Sequence, residues 1–161
     1  MRGLTLEDAP FIVTLLNDPA FIRNIGDRGV RTEDDAHEYL QAGPQASYAR
    51  HGFGLCAVDL AGGPTIGICG LLQRDELPGP DIGFAFLPQY WSHGYAYESA
   101  TAVVVDARAR LGLETLLAIV SPGNAPSIRL LERLGFLFER TMRLGAEGPD
   151  ISLFASHAGE L

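Results

Sequence analysis

The stretch that most restricts the fold reads Asp81-Ile82-Gly83-Phe84-Ala85-Phe86-Leu87-Pro88-Gln89-Tyr90-Trp91-Ser92-His93-Gly94-Tyr95-Ala96-Tyr97-Glu98. An apolar run of strand length stops at Pro88. A short turn containing Gly94 follows, and then Ala96, Ala100, Val103, Ala107 and Leu111 recur at helical spacing. Gly94 has no Cβ, so its backbone can approach a ligand closely. The first N–H groups of a helix have no partners inside it, and the macrodipole adds partial positive charge there. Strand, glycine turn and helix N-terminus in that order predict an anion site, most naturally for phosphate.

The elements around this stretch set the fold class. Residues 1–4 are the stump of an edge strand. Thr5-Leu6-Glu7-Asp8 is a capping signal for a helix that turns Phe11, Ile12, Leu15 and Leu16 to one face and ends at Asn17-Asp18-Pro19. Residues 20–31 read as irregular. Thr32-Glu33-Asp34-Asp35 opens a second helix, predicted to run through Tyr39 and Leu40 to Gly43-Pro44. Strands follow over 54–59, 65–72 and 81–87, with turns at Gly62-Gly63-Pro64 and Pro78-Gly79-Pro80. The central helix ends at Gly112. A buried parallel strand over 115–120, a helix carrying Ile128, Leu131 and Leu134, and two strands over 136–143 and 151–156 complete the chain. This order predicts a single α/β (α+β) domain over residues 1–161, with a mostly antiparallel central sheet and one crossover. A doubly wound nucleotide fold would alternate strand and helix from the start.

Composition narrows the function classes. A chain of 161 residues with 47% apolar and 20% charged residues is that of an ordinary globular protein. No run reaches the ~18 apolar residues of a membrane span, and no export signal is visible. A net charge of −8 argues against a general nucleic-acid binder. Cys56 and Cys69 lack metal-ligand spacing and read as buried free thiols of a cytoplasmic protein. The acids Glu33, Asp34, Asp35 and Glu38 crowd a helix start, where they favour the dipole. Alternatively, they draw a cationic amine towards the site.

Two motifs carry a family resemblance that covers most of the chain. Trp91-Ser92-His93-Gly94-Tyr95-Ala96 resembles the pyrophosphate loop of the GNAT (Gcn5-related N-acetyltransferase) superfamily, most closely its ribosomal-protein N-terminal acetyltransferase (RimJ/RimL-like) branch. Asn124-Ala125-Pro126-Ser127, running on to Leu134-Gly135-Phe136, is similar to that family's Asn-x-x-Ser helix. The resemblance implies acetyl-CoA as acyl donor and direct transfer of its acetyl group to a primary amine, either a protein N-terminus or a small molecule. It implies splayed third and fourth main strands with the pantetheine arm between them. Backbone groups around Phe86 and Leu87 would contact the arm and the thioester carbonyl. Those of Trp91, Ser92, His93, Gly94, Tyr95 and Ala96 would hold the pyrophosphate. Asn124 would touch the arm and Ser127 would face the sulfur.

Simpler roles compete with these. Asn124 is a good N-cap with Pro126 in the first turn, and Trp91 can pack under the loop. Ser92 and His93 stand where close relatives have Gly and Lys. Ser92 is free of cost only if its φ is negative, and His93 brings partial charge alone near neutral pH. Asp81 and Glu98 are the candidate proton acceptors, with Asp81 at a strand start where relatives often have Glu. The rival reading is a non-catalytic acyl-CoA-binding module. Acceptor identity and the choice of monomer or homodimer stay open.

Overall fold

In the computed structural model, which describes residues 1–159, the first third of the chain is mainly helical. A short strand β1 (Arg2–Gly3) leads into a 3-10 turn, then α1 (Ala9–Leu16), α2 (Pro19–Asn24), α3 (Glu33–Leu40) and α4 (Ala46–His51). Both capping signals form. Asp8 accepts the Thr5 N–H at 2.8 Å, and Asp35 accepts the Thr32 N–H at 2.9 Å while Thr32 Oγ1 accepts the Asp35 N–H at 3.1 Å. Arg2 reaches across β1 to both oxygens of the buried Asp8 at 2.8 and 2.9 Å. This hydrogen-bonded guanidinium holds the Asp8 carboxyl below the usual carboxylate range.

The sequence reading fails at two points here, both involving proline. Asp18-Pro19 ends α1, but it also starts α2 inside the stretch expected to be irregular. Asp18 Oδ1 accepts the Ala20 N–H at 2.9 Å, and Pro19 occupies a first-turn position where its missing N–H costs nothing. The helix expected to stop at Gly43-Pro44 continues instead. Residues Gln41–Gln45 widen into a π-helical segment, with the Ala46 N–H reaching back to Gln41 O. The wider turn accommodates Pro44, which cannot donate to an α-helical ladder. The rod ends at Gly52, whose φ of 74° is left-handed.

Strands β2 (Leu55–Asp59), β3 (Thr65–Leu72) and β4 (Asp81–Phe86) form a meander, as expected. The long helix α5 (Tyr95–Ala109) then crosses to β5 (Thr115–Val120), and α6 (Ala125–Arg133) leads to the closing hairpin β6 (Leu137–Arg143) and β7 (Asp150–His157). The seven strands make one sheet in the order β1-β2-β3-β4-β5-β7-β6. Among the described residues, only β4 and β5 run parallel. One apolar cluster, including Val103, Leu116, Leu131 and Phe136, locks α5 and α6 to the sheet. A second, including Ile12, Leu16, Leu40 and Ile68, does the same for α1 and α3. Burial of each such side chain contributes roughly 1.5–3 kcal/mol. The α/β fold with its mostly antiparallel sheet is therefore the one the sequence predicts.

Candidate active site

The sheet is least complete between its two parallel strands. β4 and β5 are in register only at Asp81 and Leu117, where the Leu117 N–H also bonds Pro80 O at 3.0 Å. Beyond that point the strands part, and a cleft of about 910 Å³ opens between them. The alternation of the β3–β4 ladder decides which backbone groups face it. The Leu87 N–H bonds Ile66 O at 3.0 Å, and Ala85 lies opposite Ile68. The polar backbone groups of Ala85 and Leu87 therefore point to β3, and those of Phe84 and Phe86 point to the gap. Phe86 O is taken by the Trp91 indole N–H at 2.8 Å. The Phe86 N–H has no strand partner on that side, which makes it a donor aimed into the cleft.

The loop after β4 frames the open end. Trp91 is half exposed, and its indole hydrogen bond pins the loop to the end of β4. This is more than the packing role expected of it. Ser92 has a φ of 62° and Gly94 one of 84°, within the turn that leads into α5. Successive N–H groups of such a turn can point to one side and form an anion nest. The positive φ of Ser92 answers the question its sequence position raises. A non-glycine residue there costs about 1–2 kcal/mol.

Gly94 precedes α5, and the first bond of that helix runs from the Glu98 N–H to Gly94 O. The N–H groups of Tyr95, Ala96 and Tyr97 thus remain available at the N-terminus. A Cβ placed on Gly94 would meet nothing within 4 Å, so this backbone faces open space. His93 stacks on Tyr95 and bonds Trp91 O through Nδ1 at 2.6 Å.

Opposite the loop, α6 presents its first turn to the same cleft. Asn124 Oδ1 accepts the Ser127 N–H at 3.4 Å, which is the N-cap expected from the sequence. Both residues line the cleft, so capping and ligand contact are compatible. Of the residues singled out in sequence, Asp81, Phe86, Trp91, Ser92, Gly94, Tyr95, Ala96, Asn124 and Ser127 line it together. Leu87 and His93 do not. Leu87 turns its N–H to β3 and its side chain to the second apolar cluster. Glu98, on the exposed side of the first turn of α5, is also absent from the lining.

Asp81 sits at the closed end of the cleft, 1% exposed. Arg74 Nε lies 3.1 Å from each of its oxygens. Burial pushes the Asp81 carboxyl up to about 6, against the opposing pull of Arg74. Between its ordinary value of 3.8 and about 6, the folded state binds the proton that the unfolded chain has released. Stability contributed by Asp81 is therefore complete below pH ~4 and is lost as pH rises through 6, by roughly 3 kcal/mol. Urea titrations of the wild type and Asp81→Asn should show the wild type losing stability relative to the variant over this interval. Parallel stability curves would remove the argument from burial.

Sequence reasoning missed Arg74 because no spacing rule links a loop residue to a strand start seven positions later. It also missed Arg28, which lines the cleft from the loop after α2. The acids Glu33, Asp34, Asp35 and Glu38 do not line it. Asp35 is engaged in the cap of α3, and its bonds to the Arg31 and Thr32 N–H groups hold its carboxyl below the usual range. Glu33 and Asp34 lie beside it in the first turn of α3, and Glu38 lies further along the helix.

A parallel strand pair that splays open onto an anion nest defines a domain able to lay an extended, phosphate-bearing molecule in the gap of its sheet. The acetyltransferase (GNAT) domain family matches residues 1–137, and the chain belongs to that family. It is 28% identical over 148 residues to the uncharacterized N-acetyltransferase YoaA of Bacillus subtilis, covering 89% of this chain and 81% of YoaA. The crystal structure of an acetyltransferase from Agrobacterium tumefaciens superposes with a TM-score of 0.81 at 25% identity, covering 97% of this chain and 88% of that one. RimL, a ribosomal alpha-N-protein acetyltransferase solved in complex with coenzyme A, shares the fold with a TM-score of 0.83. It is 14% identical, with 99% of this chain and 94% of RimL covered.

Proposed function

We propose that residues 1–161 act as one cytoplasmic N-acetyltransferase domain that moves the acetyl group of acetyl-CoA to a primary amine, a protein N-terminus or a small molecule, by direct attack. The observation that carries this reading is the β4–β5 gap ending in the left-handed turns of Ser92 and Gly94. Its unpaired N–H groups and the open face of Gly94 suit a diphosphate. The order of residues through this loop supports kinship with the RimJ/RimL-like branch. Acetyl-CoA supplies an activated thioester, so alignment and charge stabilisation are the main tasks left to the protein.

The backbone of residues 91–96 holds the diphosphate. Asn124 contacts the arm while capping α6. The Phe86 N–H stabilises negative charge on the thioester oxygen as the amine nitrogen bonds to the acetyl carbon. As the carbon–sulfur bond breaks, the Ser127 hydroxyl stabilises the leaving sulfur. Asp81 is the acceptor for the proton that the amine gives up, because a carboxyl near 6 is ionised at neutral pH yet basic enough to share a proton. Burial pushes the Cys69 thiol up to about 12 and also raises Cys56. Both cysteines are free, opposite one another on β2 and β3.

The test is release of free thiol from acetyl-CoA with a panel of primary amines, with mass detection of the acetylated product. Amine-dependent release is expected. Tight acetyl-CoA binding without release for any amine would favour the rival reading, a binding module that lacks an acceptor site.

A further inference from the structure

A second cavity, of about 400 Å³, abuts the first along Gly83, Phe84 and Ala85. Arg28 and Arg74 border both spaces. The second cavity lies away from the anion nest, since neither residues 91–96 nor α6 contributes to its lining. A molecule held in it meets the cleft at the stretch of β4 whose backbone donors face the gap. It therefore reaches the proposed reaction centre from the side opposite the diphosphate, as a second substrate in a ternary complex must. Its volume is of the order of small-ligand sites, roughly 300–1,000 Å³.

The walls of this cavity describe its occupant. Phe21, Ile25, Leu55, Ile68 and Leu72 supply apolar surface. The π-helical segment supplies a further wall through Ala42, Gly43 and Pro44, and such segments often occur at functional sites. The charged residues are of one sign: Arg28, Arg50 and Arg74 line the cavity, and no Asp or Glu does. Arg74 is engaged by Asp81. Among the described residues, neither Arg28 nor Arg50 has a carboxylate within ion-pair distance. This local excess of positive charge stands in a chain with 20 acidic against 12 basic residues. The phenol of Tyr39 lies in the same wall. Burial raises its pKa, while the charges of Arg28 and Arg74 oppose that rise, placing both guanidinium groups within electrostatic reach.

We infer that the acceptor is a small amine carrying its own anionic group, a carboxylate on an apolar body of amino-acid size, with the anion held by Arg28 and Arg50. This inference rests on the N-acetyltransferase reading above and names the acceptor class of the same site. It replaces the cationic acceptor that the acids at the start of α3 suggested, since those acids are outside the cavity. Arginine matches a carboxylate through paired donors. A polycation would meet like charge on this wall instead. The same cations disfavour the protonated form of the acceptor amine and so increase its nucleophilic fraction.

The test uses three matched pairs, each an α-amino acid and the amine left when its carboxylate is removed: phenylalanine with phenethylamine, leucine with isopentylamine, and methionine with 3-(methylthio)propylamine. In thiol-release assays on the full chain, at least one amino acid should exceed its partner by tenfold or more in kcat/KM. Replacing both arginines (Arg28→Gln with Arg50→Gln) should bring that ratio to within about twofold. The ratio within a pair cancels changes in donor binding or in the fraction of active protein. Equal or greater activity with the carboxylate-free partners, or a preference that survives the double variant, overturns the inference. If no amine supports release, the N-acetyltransferase reading fails separately. Calorimetry with the same amino acids then decides: binding weakened at least tenfold in the double variant supports the arginine site, and no binding to the wild type overturns it.

Discussion

Gly94→Asp is expected to raise the dissociation constant for acetyl-CoA more than tenfold while leaving the protein folded. The new Cβ would project into open space, so no neighbour has to move. The φ of 84° costs a non-glycine residue about 1–2 kcal/mol. Part of this is offset because a carboxylate beside a helix N-terminus is favourable. That same carboxylate competes for the N–H groups of Tyr95, Ala96 and Tyr97 and repels a diphosphate. Calorimetric titration read beside circular dichroism checks the outcome. Unchanged acetyl-CoA binding by a folded variant would end the diphosphate assignment.

Ser127→Ala is expected to lower kcat by about 10- to 100-fold with acetyl-CoA affinity nearly intact. Its backbone N–H, not its hydroxyl, is the group bonded to Asn124, so the cap of α6 survives the substitution. What disappears is a hydrogen bond to sulfur that strengthens as charge develops. Bonds to charged groups contribute roughly 1.5–3 kcal/mol, which sets that range in rate. A thiol titrates near ~8.5 and a serine hydroxyl is far less acidic, so stabilisation rather than full proton donation is the expected role. Asn124→Ala should weaken cofactor binding as well and remove a cap worth about 1 kcal/mol. Single-turnover rates at saturating acetyl-CoA isolate the chemical step. An unchanged rate in Ser127→Ala would leave Ser127 with only its place in the first turn.

Features set by neighbours in sequence were legible. The capping boxes at Thr5 and Thr32, the apolar period of α5 and the Asn124 cap are each complete within a few residues. The order of elements likewise predicts a parallel crossover between β4 and β5, which the sheet contains. Two prolines misled because each admits two outcomes. Pro19 both ends α1 and begins α2, and Pro44 breaks an α-helical ladder but fits a π-helical one. The sign of φ at Ser92 belongs to the path of the whole loop between β4 and α5, which no local pattern records. The second cavity was invisible for a related reason. Arg28, Arg50 and Arg74 come from three separate segments, and only the folded sheet brings them to one wall.

The charge on that wall is of a particular chemical kind. All twelve basic side chains of the sequence are arginine, and there is no lysine. Guanidinium groups stay protonated under any condition in which the protein is folded, so they offer no free electron pair to a thioester. A lysine at position 28 or 74 would place a nucleophilic amine on the wall of the cleft, where it could compete with the acceptor for an acyl donor held there. The cleft can thus be strongly cationic and still inert towards its own reagent. Under the proposed function, acetyl groups brought there could not be lost to lysine amines, since the sequence has none.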